Sequence, residues 1–214
     1  MYTPSHFAET DPAELQRIMR THPLGMLCTH GAHGIDANHL PFLFDADGGP
    51  QGRLLGHVAR ANPLWQGAAA SGSPVLVVFR GAEGYVSPNG YPSKHETHRA
   101  VPTWNYEVVH VHGTLVVHDD EKFTRSVVAR LTHVHEAGEP IPWKMGDAPA
   151  DYLAEMLRAI VGFEVQITRL EGKRKLSQNR SAADQAGAAQ AVQARGNEAL
   201  ATAMRRAASG LQRG

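Results

Sequence analysis

Residues Thr103–His118 read TWNYEVVHVHGTLVVH and alternate between two kinds of side chain. From residue 109 onward the odd positions are apolar or glycine. The even positions are mostly polar, namely His110, His112, Thr114 and His118. This period of two predicts a long β-strand with one buried face and one polar face.

Shorter strands are predicted on both sides of this stretch. They cover Leu24–Thr29, Asn38–Phe44, Arg53–Ala59, Val75–Arg80 and Val161–Thr168. Turn-forming residues separate them, as in the sequence DADGG at 45–49. Strand and helix do not alternate regularly and no Gly-x-Gly-x-x-Gly is present, so a parallel Rossmann sheet is not expected.

Helices are predicted around the strands. Asp11 begins one, Asp119 and Asp120 begin a second that ends near Gly138, and a third follows Pro149. We therefore expect a mostly β (α+β) fold, a closed or nearly closed barrel with peripheral helices. Two regions are predicted: residues 1–180 form the barrel domain, and residues 181–214 form an Ala/Gln/Arg-rich helical extension.

The composition excludes several classes of protein. The chain has 214 residues, with Lys+Arg 21 against Asp+Glu 21, so no overall charge attracts nucleic acid. The longest apolar run, Val75–Phe79, is far too short for a membrane span, and the N-terminus does not resemble a signal peptide, so we expect a cytoplasmic protein. A lone Cys28 excludes an intramolecular disulfide.

Two candidate binding clusters lie in the second half of the chain. The sequence KRKLSQNR at 173–180 combines cations with amide and hydroxyl donors that suit a phosphate or a polar ring edge, notably Lys175 and Gln178. Thr103, Trp104 and Asn105 offer a flat aromatic surface flanked by hydrogen-bonding groups. A solvated strand end and an aromatic closure of the barrel are the structural alternatives.

Two further clusters offer anion-binding groups. Ser93 and Lys94 lie inside the long loop Gly84–Pro102, which is either functional or simply polar surface. The sequence GHVARANP at 56–63 places His57, Arg60 and Asn62 before a short helix, where either anion binding or plain helix capping is expected.

The 13 histidines raise a metal or haem site as a minority hypothesis. His110 and His112 share a strand face, but no His-Glu-x-x-His is present, so no metal ligands are assigned. No phosphate-binding P-loop and no helix-turn-helix is visible either. The C-terminal stretch 171–214 carries eight basic and three acidic residues, so it is locally positive.

Together these motifs resemble the PaiB-type family, called FMN-binding negative transcriptional regulators. The resemblance rests on LLGHVARANP at 54–63, YPSKHE at 91–96, VPTWNY at 101–106 and KLSQNR at 175–180, and it covers about residues 1–185. It implies a split β-barrel related to flavin reductases and pyridoxamine phosphate oxidases. It also implies a homodimer with FMN in a cleft between the subunits.

The resemblance assigns roles to the matching positions. Arg60, Ser93 and Lys94 are expected at the FMN phosphate, with His57 and Asn62 beside them. The residues expected near the flavin ring are Thr103, Trp104, Asn105, Lys175 and Gln178. The chain departs from the family pattern at Gly90 and near Arg174, where the family has aromatic residues, and at Ser181, where it has proline.

The leading functional hypothesis is a cytoplasmic, FMN-binding, homodimeric regulator of transcription. Direct DNA binding has no visible motif, so regulation is either indirect or uses the positive C-terminal stretch. The alternatives are a flavin-dependent oxidoreductase using NAD(P)H and, last, a haem or metal binder that uses the histidines.

Overall fold

A computed structural model describes residues 1–31, 34–66 and 72–210. The described residues contain six α-helices: α1 Pro12–Thr21, α2 Pro92–Thr97, α3 Glu121–Glu136, α4 Ala150–Arg158, α5 Ala182–Ala194 and α6 Glu198–Gly210. Short 3-10 turns cover Ser5–Phe7, Pro63–Trp65, Pro88–Gly90 and Met145–Asp147. No helix in the described part of the chain combines the length and apolar character needed to cross a bilayer.

Eight strands are present in the same ranges: β1 Ala8–Glu9, β2 Leu24–Gly31, β3 Gly34–Pro41, β4 Leu43–Asp45, β5 Arg53–Ala59, β6 Pro74–Val86, β7 Thr103–His118 and β8 Ile160–Lys175. They form one antiparallel sheet with the order β3-β2-β6-β7-β8-β5-β4, and β1 also pairs with β8. The predicted α+β fold is confirmed, and the boundaries of β5 and β7 agree with the sequence prediction.

The chain divides into two compact units. The central unit comprises residues 22–79 and 110–170, and the terminal unit comprises 1–21, 80–109 and 171–214. The N-terminal part of β8 lies in the central unit, where it pairs with β5 from Arg53 opposite Gln166 to Ala59 opposite Ile160.

The central unit has an aromatic core inside the sheet and a helix on its outer face. The ring of Phe42 makes edge contacts with Phe79 and Phe163, at centroid distances of 5.7 and 5.9 Å. On the opposite face of β5, Leu55 packs against Val127 and Leu131 of α3. Successive side chains of β5 therefore pack into two different layers, as expected when they point to opposite faces of the strand.

The terminal unit is built around the C-terminal helices. Its core combines residues of β6, of the 87–98 segment and of the turn after β8 with α5 and α6: Val86, Tyr91, Leu176, Ala188, Val192, Leu200 and Met204. The extension predicted from Ser181 is helical, and Ser181 caps α5 by accepting a hydrogen bond from the Asp184 amide. Both helices share the hydrophobic core of this unit.

A contact between glycines explains the departure at Gly90. A Cβ atom on Gly90 would lie 3.0 Å from the Cβ of Ala191, and one on Gly187 would lie 2.4 Å from the carbonyl oxygen of Gly90. Helix α5 thus lies against the Pro88–Gly90 turn where an aromatic side chain has no room. Small residues on both sides permit this close approach.

The region predicted as a long loop, Gly84–Pro102, is more regular than expected. Strand β6 continues to Val86, and the 3-10 turn and α2 follow. Helix α2 ends where His98 adopts a left-handed conformation with φ 57°. The extended β6 brings Tyr85 into the sheet.

Candidate functional site

A group of aromatic and lysine side chains, with Trp104 and Tyr85 the most exposed among them, lies on the sheet of the terminal unit. We call it the aromatic–lysine face, and it consists of Tyr85, Trp104, Tyr106, Lys173 and Lys175. Trp104 is 58% exposed and Tyr85 is 47% exposed, and their rings meet edge to face at 6.5 Å. Neighbouring exposed rings are typical of an interaction surface, whereas single exposed rings are common.

The two lysines lie among these rings. The Lys175 ammonium donates to the carbonyl oxygen of Trp104 at 2.8 Å and to the hydroxyl of Thr103. The Lys173 ammonium lies 5.4 Å from the ring centroid of Tyr106, within the range of a cation–π contact. Burial, together with the nearby charge of Lys173, lowers the pKa of Lys175 despite the opposing effect of Tyr106.

Alternation along the strands produces this face. Trp104 and Tyr106 are two residues apart on β7, and Lys173 and Lys175 are two residues apart on β8. The intervening Asn105 and Arg174 are buried, and Lys173 is itself only 9% exposed. The same rule would have identified Lys173 from the sequence, since it is two positions before Lys175. Tyr85 was missed because β6 was predicted to end at Arg80.

Asn105 and Gln178 do not join the aromatic–lysine face. Asn105 is almost fully buried, and its amide donates to the hydroxyl of Ser177 at 2.9 Å. The Gln178 side chain closes a turn, because it donates to the carbonyl of Arg174 at 2.6 Å and accepts from the amide of Leu176 at 2.7 Å. That turn holds Ser177 at φ 71°. In this structure both side chains hold the end of β8 in place.

Ser93 and Lys94 belong to the segment that α5 contacts. The carboxylate of Asp184 accepts hydrogen bonds from the Ser93 amide at 3.0 Å and from its hydroxyl at 2.7 Å. The Lys94 ammonium donates to the side chain of Asn89 at 3.0 Å. Asp184 was missed because its partner is 91 residues away, so no local pattern in the sequence indicates the contact.

Arg60 and Asn62 lie in the central unit. The Arg60 guanidinium forms a bidentate pair with Asp119, at 2.7 and 3.2 Å, and its Nε donates to the carbonyl of Arg158 at 2.7 Å. The hydrogen bond between them raises the pKa of Arg60 and lowers that of Asp119. Asn62 caps the Pro63–Trp65 turn by accepting from the amide of Leu64, so the capping alternative describes its contact here.

The structure also shows the positions of His57, His110 and His112. His57 lies on β5, and its buried Nδ1 atom has no hydrogen-bond partner among the described residues. Burial lowers the pKa of His57, which favours the neutral imidazole. The rings of His110 and His112 lie 6.4 Å apart on β7.

Three arginines of the C-terminal stretch have acidic partners within the terminal unit, and one of them, Arg205, lies 3.6 Å from the carboxylate of Glu198. Arg174 donates to the buried carboxylate of Glu107 at 2.9 Å and lies 3.2 Å from Glu14. Arg206 of α6 pairs with the same Glu14 at 2.9 Å. Arg205 bonds to Gln193. These partners reduce the charge that the helices offer to a nucleic acid.

Comparisons with known proteins identify the family. A family model described as "Putative FMN-binding domain" matches residues 1–169. The chain belongs to this FMN-binding domain family. The predicted resemblance and the predicted flavin cofactor are confirmed at that level. The match ends before α5, so the C-terminal helices lie outside it.

Individual relatives agree with this assignment. Over 86% of its length the chain is 30% identical to the Bacillus subtilis protein named protease synthase and sporulation protein PAI 2, covering 85% of that protein. An uncharacterised protein of Aspergillus fumigatus is 33% identical over 92% of the chain and 93% of its own length. The similarity to PAI 2 confirms the predicted resemblance to the PaiB type.

A solved structure supports the fold. The FAD and haem binding protein of Mycobacterium smegmatis superposes with a TM-score of 0.58, at 19% identity, over 78% of this chain and 73% of that chain. At this identity the similarity concerns the fold. The predicted split β-barrel is confirmed.

The donor set of the aromatic–lysine face fits a flavin. Trp104 and Tyr85 offer flat surfaces for a conjugated ring, and Lys175 offers a cation for its polar edge or its phosphate. Burial is the largest cause of the lowered pKa of Lys175. An anionic ligand beside Lys175 would remove that penalty.

Proposed function

We propose that this protein binds FMN on the aromatic–lysine face and acts as a homodimer in a regulatory role of the PaiB type. The observation that carries the proposal is the exposed Trp104–Tyr85 pair beside Lys175. FMN, when bound, supplies a redox-active ring, while the protein supplies binding and orientation. Trp104 packs against the ring, and Lys175 stabilises negative charge on the ligand.

The homodimer follows from the same exposed surface. Tyr2 is also exposed, and its carbonyl accepts a hydrogen bond from Lys173 at 3.1 Å, which extends the aromatic–lysine face. An apolar surface of this kind is typical of an interface. A second subunit covering it would enclose the flavin and bury Trp104 and Tyr85.

The regulatory role is supported by the similarity to PAI 2, whose name refers to protease synthesis and sporulation. We propose an indirect mode of regulation, because Arg174, Arg205 and Arg206 have partners inside the terminal unit. A change in flavin occupancy or redox state would then be passed to another protein through the covered face.

The test is an FMN titration followed by the quenching of flavin fluorescence. Trp104→Ala and Lys175→Met should each raise the dissociation constant at least about tenfold, which corresponds to about 1.4 kcal/mol. Tyr152→Ala and Lys122→Met are matched controls, because both residues are exposed and neither belongs to the aromatic–lysine face, and they should leave the affinity unchanged. Equal losses in all four variants would refute the assigned site.

Two further measurements separate the functional classes. Sedimentation velocity should show a dimer in the wild type and a monomer in Trp104→Glu. NADH or NADPH consumption with added FMN, at rates typical of flavin reductases, would instead favour the oxidoreductase. DNA binding that weakens in an Arg205→Ala, Arg206→Ala double variant and becomes less salt-dependent would establish direct regulation.

A further inference from the structure

A cavity of about 290 Å³ lies within the central unit, beside strand β5 and helix α3. Its apolar lining comes from Pro41, Val128, Leu131 and the indole of Trp143. This volume is near the lower end of the roughly 300–1,000 Å³ that small-molecule pockets span. A compact molecule therefore fits the cavity better than a nucleotide does.

The residue spacing on β5 and on α3 explains why the residues that line the cavity face one another. His57 follows Leu55 by two residues on β5, so it lies on the face that packs against α3. On α3, Val128 and Thr132 are four residues apart and occupy one helix face. The cavity is thus bounded by two regular elements whose backbones are hydrogen-bonded.

The segment after α3 closes one side of the cavity. The carboxylate of Glu136, at the end of α3, accepts a hydrogen bond from the backbone amide of Trp143 at 2.9 Å. This bond brings residues 137–143 back towards the helix, and the Trp143 side chain lines the cavity. An indole wall is suited to stacking with an aromatic ring.

One of the lining residues, His57, carries an unsatisfied polar atom. The Nδ1 atom of His57 is buried and has no hydrogen-bond partner among the described residues. A buried polar group without a partner costs about 1–3 kcal/mol. A ligand hydroxyl or amine that reached this atom would offset that cost.

The charge of the lining indicates which ligands fit. Among the described residues that line the cavity, Glu136 is acidic, His57 and His135 are histidines, and none is lysine or arginine. Burial lowers the pKa of His57 and so favours its neutral form. A phosphate or carboxylate would find no permanent cation here, whereas an ammonium or hydroxyl donor has Glu136 and Thr132 as further partners.

We infer that this cavity binds a small aromatic molecule that carries an amine or hydroxyl donor, at a site separate from the aromatic–lysine face. The ring packs between Trp143 and the apolar side chains of α3. The donor reaches His57 or Glu136. His57 then belongs to this second site and does not contact the FMN phosphate.

The test is isothermal titration calorimetry of the full chain with tyramine and with phenol. At least one probe should bind with a dissociation constant below about 1 mM, one molecule per subunit, and benzoate, which has no donor, should not. His57→Leu and Glu136→Gln should each weaken tyramine about tenfold. Val128→Phe, which fills the cavity, should abolish binding. Glu139→Gln is the matched control, since Glu139 is exposed and does not line the cavity.

The remaining outcomes count against the inference. Failure of both probes to bind, or binding that survives Val128→Phe in a variant that melts cooperatively, would overturn it. Saturation with FMN should leave the tyramine affinity unchanged, and competition between the two would place His57 in the flavin site. Failure of FMN binding alone would refute the proposed function and leave this inference intact, because its readout is the heat of tyramine binding.

Discussion

Replacing Gly187 by alanine tests the packing of the C-terminal helices against the segment that contains Ser93 and Lys94. In an ordinary helix this change stabilises the protein by about 1 kcal/mol, because alanine has the higher helix propensity. Here the new Cβ would lie 2.4 Å from the carbonyl oxygen of Gly90 and 3.0 Å from Pro92 Cδ. The first distance is about 1 Å shorter than an ordinary C···O contact of about 3.3 Å, so the backbone must move.

Overpacking of this kind costs about 1–3 kcal/mol, and a displacement of the backbone falls at the upper end of that range. The gain of about 1 kcal/mol from helix propensity offsets part of this cost. We therefore expect Gly187→Ala to lower the free energy of unfolding by about 2 kcal/mol, measured by urea denaturation with circular dichroism. Ala186→Gly is the matched control, because Ala186 is exposed on the same helix and its replacement reports propensity alone, with a loss of about 1 kcal/mol. A Gly187→Ala variant more stable than the wild type by that amount would refute the close packing.

Three other predictions follow from the terminal unit. Asp184→Asn should lower the free energy of unfolding by about 1–2 kcal/mol, since the Ser93 amide and hydroxyl both donate to that carboxylate. Arg174→Met should cost about 3 kcal/mol or more, because it removes a partner of the buried Glu107 carboxylate. Lys175→Met should stabilise the protein near neutral pH, because burial and the neighbouring lysine lower the pKa of Lys175 and so disfavour its charged form. The stability advantage of the variant over the wild type should shrink as the pH rises from the lowered pKa of the folded protein towards the unfolded value of about 10.4.

Each of these predictions has a control. A double-mutant cycle of Ser93→Ala with Asp184→Asn should show coupling, and simple additivity would contradict the contact. Arg80→Ala removes an exposed pair with Glu83 and should cost less than about 1 kcal/mol. A stability difference between Lys175→Met and wild type that stays constant from pH 7 to pH 11 would contradict the charge argument.

Much of the fold could be predicted because its strands follow a strict period of two. The alternation in β7 gave its boundaries, and asparagine before proline gave the cap at Asn62. Strands β6 and β8 extend beyond the prediction, to Val86 and Lys175. The added residues of β8 are mostly charged, and those of β6 include Gly81, Glu83 and Gly84, so hydropathy does not show that these stretches are extended.

The site was harder to predict, because the contacts of a side chain depend on residues far away in sequence. Trp104 and Lys175 lie together as expected, but Arg60 pairs with Asp119 across 59 positions and Ser93 with Asp184 across 91. A local motif identifies a residue that can bind an anion. It does not show that an acidic side chain already occupies its hydrogen bonds.

The central claim is that the chain holds FMN, and the most direct test is the visible absorbance spectrum of the untagged, purified protein. Chromatography of whatever heat denaturation releases identifies the cofactor. The account predicts a flavin spectrum and FMN at about one per subunit, either as isolated or after incubation with FMN. A colourless protein that takes up no added FMN would contradict it, and so would a haem spectrum in place of the flavin.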